Sequence, residues 1–116
     1  MDEIKILFYF YGAVGLILAF IGIILTAQKI SRNNWIGFRT KKTMANENLW
    51  YTVNKVVGKN LLMGGIFISL VNFILYSEKE KFSLNLFSWI ELSAAMFSII
   101  VAIITGYAAQ KKHEKD

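Results

Sequence analysis

Glu91 is the only acidic residue well inside a long apolar run of this 116-residue chain. Asn72 lies at a similar depth in a second run, and Tyr9 and Tyr11 lie near one end of a third. A carboxylate inside a membrane normally faces other helices or water rather than lipid. We therefore predict an intramembrane polar cluster of Glu91, Asn72 and one of the two tyrosines. The alternative is that Glu91 snorkels to the lipid headgroups, with no role beyond that.

A second group of polar and glycine residues lies between the first two apolar runs, from Asn33 to Lys59. The guanidinium of Arg39 is suited to a lipid phosphate, a partner carboxylate or backbone carbonyls. Gly37, two residues earlier, predicts a turn with an unusual backbone angle. Thr40 and Thr43 are suited to capping a following helix. The alternative is that these residues only fold the loop onto the membrane interface.

Catalytic and metal sites find no support in the sequence. The chain has no cysteine, and its single histidine, His113, lies in a charged segment where we expect it to be solvated. There is no serine–histidine arrangement, no cluster of metal-ligating residues and no glycine-rich phosphate loop. We therefore predict no enzyme activity, no metal and no cofactor.

Three apolar runs must position the polar residues. They extend over residues 4–27, 60–76 and 84–109, in a chain that is 55% hydrophobic with a mean hydropathy of +0.45. About 20 helical residues cross a hydrocarbon core of about 30 Å. The second run is short, but it can gain a turn from a helix just before it. The prediction is a single all-α domain, an integral membrane bundle of three transmembrane helices.

The segments between the runs complete this map. We predict a connector at 28–42, an interfacial helix at 43–59 with Thr43 as its N-cap, an exterior loop at 77–83 and a tail at 110–116. The stretch 43–59 is amphipathic, because its apolar residues fall on one stripe, which suits a helix lying in the membrane interface. The stripe consists of Leu49, Trp50, Val53, Val56 and Val57. Gly58 would then allow a bend into the second span.

Small residues recur at helical spacing in all three spans and predict close helix packing. They could also pair two copies of the chain into a homo-oligomer. The faces consist of Gly15, Ala19 and Gly22 in the first span, of Gly65, Ser69, Asn72 and Tyr76 in the second, and of Ala94, Ser98, Ala102 and Gly106 in the third.

The basic residues indicate an orientation rather than a nucleic-acid partner. The chain has a net charge of +5, and ten of its 13 lysines and arginines lie in the stretch 29–59 or in the tail. By the positive-inside rule these segments are cytoplasmic, and the N-terminus and the 77–83 loop are outside. We predict the bacterial cytoplasmic (inner) membrane as the location and the lipid bilayer as the main partner.

The loop residues also carry a resemblance to a known family. The pattern Asn34-x-x-Gly37-x-Arg39-Thr40-x-x-Thr43, followed by Trp50, Asn54 and Gly58, resembles the SdpI family of bacterial membrane proteins. Many members have proline after the Arg-Thr pair and histidine at the position of Asn54, whereas this chain has Lys41 and Asn54. Larger members carry additional N-terminal membrane segments, so this chain resembles a short form.

The resemblance implies immunity of a producing cell to its own secreted toxic peptide. It also implies signalling, in which a cytoplasmic regulator is held at the membrane once the peptide is bound. Two other functions are compatible with the sequence. One is a small oligomeric transporter or channel element that uses Glu91, and the other is an accessory subunit of a larger membrane protein.

Overall fold

Residues 2–114 fold into four α-helices and one short 3-10 helix. The computed structural model describes residues 2–114, which contain α1 (Glu3–Thr26), α2 (Lys41–Ala45), α3 (Glu47–Ser77), the 3-10 helix (Lys79–Lys81) and α4 (Leu84–His113). No strand occurs within that range. The helices α1, α3 and α4 are long and apolar enough to cross a membrane, which confirms the predicted fold class. We call the end that carries residues 28–46 the loop end and the end that carries residues 78–83 the hairpin end.

The helix α3 differs from the prediction because it is continuous over 31 residues. At 1.5 Å per residue it is roughly 46 Å long, well beyond a hydrocarbon core of about 30 Å. The predicted bend at Gly58 is wrong. Gly58 instead lies against α1, where an added Cβ would be only 2.7 Å from the backbone nitrogen of Thr26. The missing side chain therefore serves close helix packing rather than a turn.

The apolar stripe of residues 49–57 packs against protein, so a separate interfacial helix is not found. Leu49, Val53 and Val57 form a core cluster with Ala102 and Ala109 of α4. The N-cap prediction for residues 43–59 is wrong as well. Asn46 caps α3 by accepting a hydrogen bond from the Leu49 amide at 3.1 Å, and residues 41–45 form the separate helix α2.

The helices α1 and α3 are antiparallel and pack at backbone contact. An added Cβ on Gly22 would lie 2.4 Å from the Leu62 nitrogen, and one on Gly65 would lie 2.5 Å from the Gly15 carbonyl oxygen. Small residues are required at this seam because the two backbones occupy the space of a side chain. The predicted small-residue face of α1 is therefore a contact surface within the chain.

The helix α4 packs on another face of α3. Its small-residue row is buried, and an added Cβ on Gly64 of α3 would lie 2.8 Å from Ser98 Cβ. The row consists of Ala94, Ser98, Ala102 and Gly106. Because these faces are used within the chain, the predicted homo-oligomer lacks the surface on which it depended. The predicted tail is also shorter, since α4 continues to His113; residues 115–116 lie outside the described residues.

Candidate functional site

The connector between α1 and α3 is held against α3 by one buried side-chain amide, that of Asn54. The Asn54 side-chain oxygen accepts a hydrogen bond from the Phe38 amide at 2.6 Å. Its nitrogen donates to the Trp50 carbonyl at 3.0 Å and the Phe38 carbonyl at 3.4 Å. Asn54 is only 2% exposed, so these bonds replace the water that its amide would otherwise bind. We call residues 30–45, as they fold over α3 and α4, the loop clamp.

Trp50 and Gly37 fit together directly beside this amide. Trp50 is fully buried, and its indole nitrogen donates to the Ile30 carbonyl at 2.9 Å. Gly37 has a φ of +119°, which confirms the predicted unusual turn. An added Cβ there would lie 2.7 Å from the Trp50 ring and 3.0 Å from the Asn54 side-chain oxygen. Only glycine satisfies both the backbone angle and the space.

Thr40 and Thr43 form a reciprocal cap at the start of α2. The Thr43 hydroxyl accepts from the Thr40 amide at 2.8 Å, and the Thr40 hydroxyl accepts from the Thr43 amide at 3.1 Å. The buried Thr43 hydroxyl also donates to the Phe38 carbonyl at 3.1 Å. Thr40 is therefore the N-cap of α2, and Thr43, three residues later, completes a capping box with it.

The clamp also binds α4. The Thr40 hydroxyl donates to the Gln110 side chain at 2.5 Å, and the rings of Phe38 and Tyr107 meet edge to face with centroids 5.0 Å apart. Lys42 and Glu114 form an exposed ion pair at 2.7 Å, which adds little stability in water. The clamp thus joins α3 to α4 at the loop end.

Arg39 and Asn34 are the exposed members of the predicted set. The Arg39 guanidinium donates to the Asn34 backbone carbonyl, which is one of the three roles expected for it. The turn itself is organised by the neighbouring Asn33, whose side-chain oxygen accepts from the Trp35 amide at 2.8 Å and the Ile36 amide at 2.7 Å. Sequence reasoning missed Asn33, although an asparagine that bonds the backbone two residues later is a common turn signal.

An apolar cavity of about 300 Å³ lies beneath the clamp. Its lining includes Ile36 and Phe38 of the clamp, Leu25 of α1, Leu61 of α3 and Ile103 of α4. The clamp therefore forms the roof of an apolar space between the three long helices.

A polar layer lies toward the hairpin end. The Asn72 amide nitrogen donates to the Phe8 carbonyl at 2.9 Å, and an added Cβ on Gly12 would lie 3.4 Å from it. Asn72 is therefore level with residues 8–12 of α1. The helices α3 and α4 are antiparallel, and Gly64 of α3 meets Ser98 of α4. Asn72 lies about two turns beyond Gly64 toward the hairpin end, and Ile90 and Glu91 lie about two turns beyond Ser98 in the same direction. Asn72 is therefore level with Ile90 and Glu91.

The layer contains Glu91, Asn72 and Tyr11 but not Tyr9. Tyr11 is partly buried and lies within electrostatic range of Glu91, whereas Tyr9 is 57% exposed. Tyr11 is therefore the tyrosine of the pair that lies at the cluster, because residues two apart in a helix point in nearly opposite directions. We call Glu91, Asn72 and Tyr11 the polar layer.

Glu91 is 0% exposed, so it does not snorkel to the headgroups. Within residues 2–114, neither carboxylate oxygen has a hydrogen-bond partner, and the Asn72 side-chain oxygen also has none. Three unpaired acceptor oxygens at one level of a bundle form an incomplete polar group, since buried polar atoms are nearly always paired. The layer is therefore suited to a ligand that donates hydrogen bonds.

The residues predicted from the sequence fall into two separate sites, the loop clamp and the polar layer. The clamp brings together Gly37, Thr40, Thr43, Trp50 and Asn54, and Gly58 lies one turn further along α3 against α1. Phe38 and Gln110 were not predicted. Phe38 binds Asn54 through its backbone groups, and Gln110 lies on the distant helix α4, so the spacing of the loop residues does not reveal either contact. No cluster of three metal-ligating residues occurs within the described residues.

Comparison with known proteins identifies one family. The sequence model of the SdpI/YfhL protein family matches residues 29–108, which cover the clamp, α3 and most of α4. No curated protein and no solved structure was found to match the chain. Because the match extends over more than half of the chain, this membrane protein belongs to the SdpI/YfhL protein family.

Proposed function

We propose that this chain is an immunity protein that protects the cell making it against a membrane-active toxic peptide. The observation that carries the proposal is that the matched region folds into one defined unit, the loop clamp on α3 and α4. The clamp lies within the matched range, and in this proposal it is the part that carries the role of the family. In this proposal the peptide is met within the bilayer, and the clamp passes on the response.

The clamp surface supports contact with a second molecule. Trp35 at its tip is 86% exposed and Ile36 beside it is 40% exposed. Large apolar groups in such positions are typical of interaction sites at membranes and on partner proteins. The apolar cavity below the clamp gives a membrane-inserted peptide a route to the same residues. A cytoplasmic regulator is the partner we propose for the exposed tip.

The test is protection of a sensitive bacterium. Cells that express the chain should survive candidate peptides encoded by neighbouring genes at concentrations that kill cells with an empty vector. Asn54→Ala, which disconnects the clamp, should remove protection, whereas exposed Asn48→Ala in the same helix should retain it. Membrane levels of each variant are measured with an epitope tag. Unchanged killing across all candidate peptides would refute the proposal.

A transport role is a second candidate, favoured by the buried and unpartnered Glu91. Intramembrane carboxylates mark ion and proton pathways in many transporters. The purified chain in liposomes should then show proton- or ion-dependent flux that Glu91→Gln removes. Equal background flux in both forms would exclude this role.

A further inference from the structure

The apolar cavity beneath the clamp is open on a side of the bundle that faces lipid. Its back is formed by α3, with Leu61, and its walls are formed by α1 and α4, with Leu25 and Ile103. Ile99 and Ile103 line the cavity and are 44% and 46% exposed, so the α4 wall reaches the outer surface of the bundle. That surface belongs to a helix apolar enough to cross a membrane. The cavity therefore opens toward the acyl chains of the bilayer.

The lining of the cavity favours an acyl chain over water. All of the residues that line it have apolar or aromatic side chains, apart from Gly37. Apolar cavities stay dry, because a water molecule finds no hydrogen-bond partners in them. The volume of about 300 Å³ is that of a site for a small ligand or part of a flexible chain. In a bilayer, the flexible apolar group that is always at hand is the acyl chain of a lipid.

The clamp end of the cavity has the aromatic residues that are typical of the headgroup level. Tyr107 lies one turn beyond Ile103 on α4, is 56% exposed and meets the ring of Phe38, which lines the cavity. Trp35 lines the cavity as well and is 86% exposed. Tyrosine and tryptophan are enriched where a membrane meets water. The headgroup of a lipid whose chain enters the cavity would therefore lie beside residues 35–38.

Arg39 provides a positive charge at this level. Its guanidinium donates to the Asn34 carbonyl, so it lies beside both ends of the turn 35–38 that roofs the cavity. A guanidinium has several N–H donors, and this bond leaves some of them for a ligand. Among the described residues no carboxylate pairs with Arg39, whereas Lys42 pairs with Glu114 at 2.7 Å. Arginine is well suited to phosphate, which it can bind through two parallel hydrogen bonds.

We propose that the cavity beneath the clamp binds an acyl chain of an anionic phospholipid, and that Arg39 binds the phosphate of the same lipid at the rim. The two parts fit one molecule, because a phospholipid joins its chains to its phosphate through a glycerol unit. The phosphate therefore does not have to enter the cavity. The proposal goes beyond the proposed function and does not depend on it, because lipid binding is measured without any toxic peptide.

The test is lipid retention by the full chain. The chain is reconstituted in bilayers of equal parts phosphatidylglycerol and phosphatidylcholine, extracted in mild detergent and examined by native mass spectrometry. We expect one retained phospholipid per chain, with phosphatidylglycerol favoured about fivefold, the effect of one basic residue on one negative charge. Arg39→Gln should remove this preference. Lys55→Gln, which removes an exposed positive charge from α3, should keep it.

A second pair of variants tests the cavity. Ile103→Trp should fill it and remove the retained lipid, whereas Ile104→Trp makes the same change at an exposed neighbour outside the lining and should keep the lipid. If Ile103→Trp does not fold, as judged by circular dichroism, Ile99→Trp in the same wall takes its place.

Glycerophosphate supplies the phosphate without an acyl chain, and it should not displace the lipid. The proposal is overturned if the unchanged chain retains no phospholipid, or retains both kinds equally. It is also overturned if the cavity-filling variant retains as much lipid as Ile104→Trp, if Lys55→Gln loses the preference as fully as Arg39→Gln, or if glycerophosphate displaces the lipid.

Discussion

At the scale of single residues, Asn54 joins the clamp to α3 through two hydrogen bonds to the Phe38 backbone. One amide satisfies both backbone groups of Phe38 and one carbonyl of its own helix. Asparagine provides a donor and an acceptor without a change of protonation, which suits a fixed architectural contact.

Asn54→Ala should destabilise the chain by roughly 1–3 kcal/mol, because it leaves the Phe38 amide without its acceptor in a partly buried site. The measurement is thermal unfolding in detergent, followed by circular dichroism. Asn48→Ala changes an exposed asparagine in the same helix and should leave the unfolding temperature unchanged. Equal stability of the two variants would contradict the role assigned to Asn54.

Gly37→Ala should cost about 1–3 kcal/mol, since its φ of +119° strains any residue with a Cβ and that Cβ would also press on Trp50. The same unfolding measurement applies. Asn34→Ala in the same loop keeps the carbonyl that accepts from Arg39, so it should be close to neutral. If Gly37→Ala proved as stable as Asn34→Ala, the account of this turn would be wrong.

Sequence reasoning recovered part of this residue-scale picture. The turn at Gly37 was predictable because glycine is the residue that tolerates a positive φ. The side chains that meet Gly37 were not predictable in this way, because Trp50 and Asn54 approach it from a helix more than ten residues away. Asn33 was overlooked in favour of Asn34, which lies on the family pattern but contributes only its backbone carbonyl.

At the scale of helices, the seam between α1 and α3 depends on glycines, whose lack of a side chain lets the two backbones come into contact. The two backbones approach so closely at Gly22, Gly58 and Gly65 that an added methyl group would overlap backbone atoms, and at Gly15 it would overlap the Ser69 hydroxyl. Lipid does not drive helices together as water does, so such packing is the main attraction between them. The seam is therefore the element-scale feature most sensitive to substitution.

Gly22→Ala should separate α1 from α3 and destabilise the chain by roughly 1–3 kcal/mol, because its Cβ would lie 2.4 Å from the Leu62 nitrogen. Gly12→Ala makes the same change in the same helix, where the nearest atom would be 3.4 Å away, and should be tolerated. Thermal unfolding of both variants in one detergent gives the comparison. A loss of stability no larger for Gly22→Ala than for Gly12→Ala would contradict the seam.

The helices themselves were the most predictable part of the fold. Long apolar runs fix their existence, and α1 differs from its predicted bounds by one residue at each end. The error at residues 43–59 has a physical cause. An amphipathic stripe is equally suited to lipid or to a protein core, and here Val53 and Val57 face α4.

At the scale of the whole molecule, the charge distribution predicts how the chain crosses the membrane. The loop end carries most of the basic residues and the hairpin end has a short connector with Lys79, Glu80 and Lys81. The positive-inside rule therefore predicts that the clamp lies on the cytoplasmic side. A clamp on the cytoplasmic side is also what binding to a cytoplasmic regulator would require.

Cysteine labelling can test this orientation cleanly because the chain has no cysteine of its own. In intact cells a membrane-impermeant maleimide should label Glu80→Cys at the hairpin and should not label Lys111→Cys near the end of α4. After permeabilisation both variants should react, which shows that both positions are accessible. The reverse pattern in intact cells would place the clamp outside and exclude a cytoplasmic regulator.

The contacts between the clamp and α4 have a consequence for biosynthesis. Phe38 and Thr40 leave the ribosome long before Tyr107 and Gln110, which are their partners on α4. During translation the clamp therefore stays open on that side until the last part of α4 has been made. A chain that stops short of Tyr107 would leave Phe38 without its ring partner, a form that membrane quality-control proteases could distinguish from the finished protein.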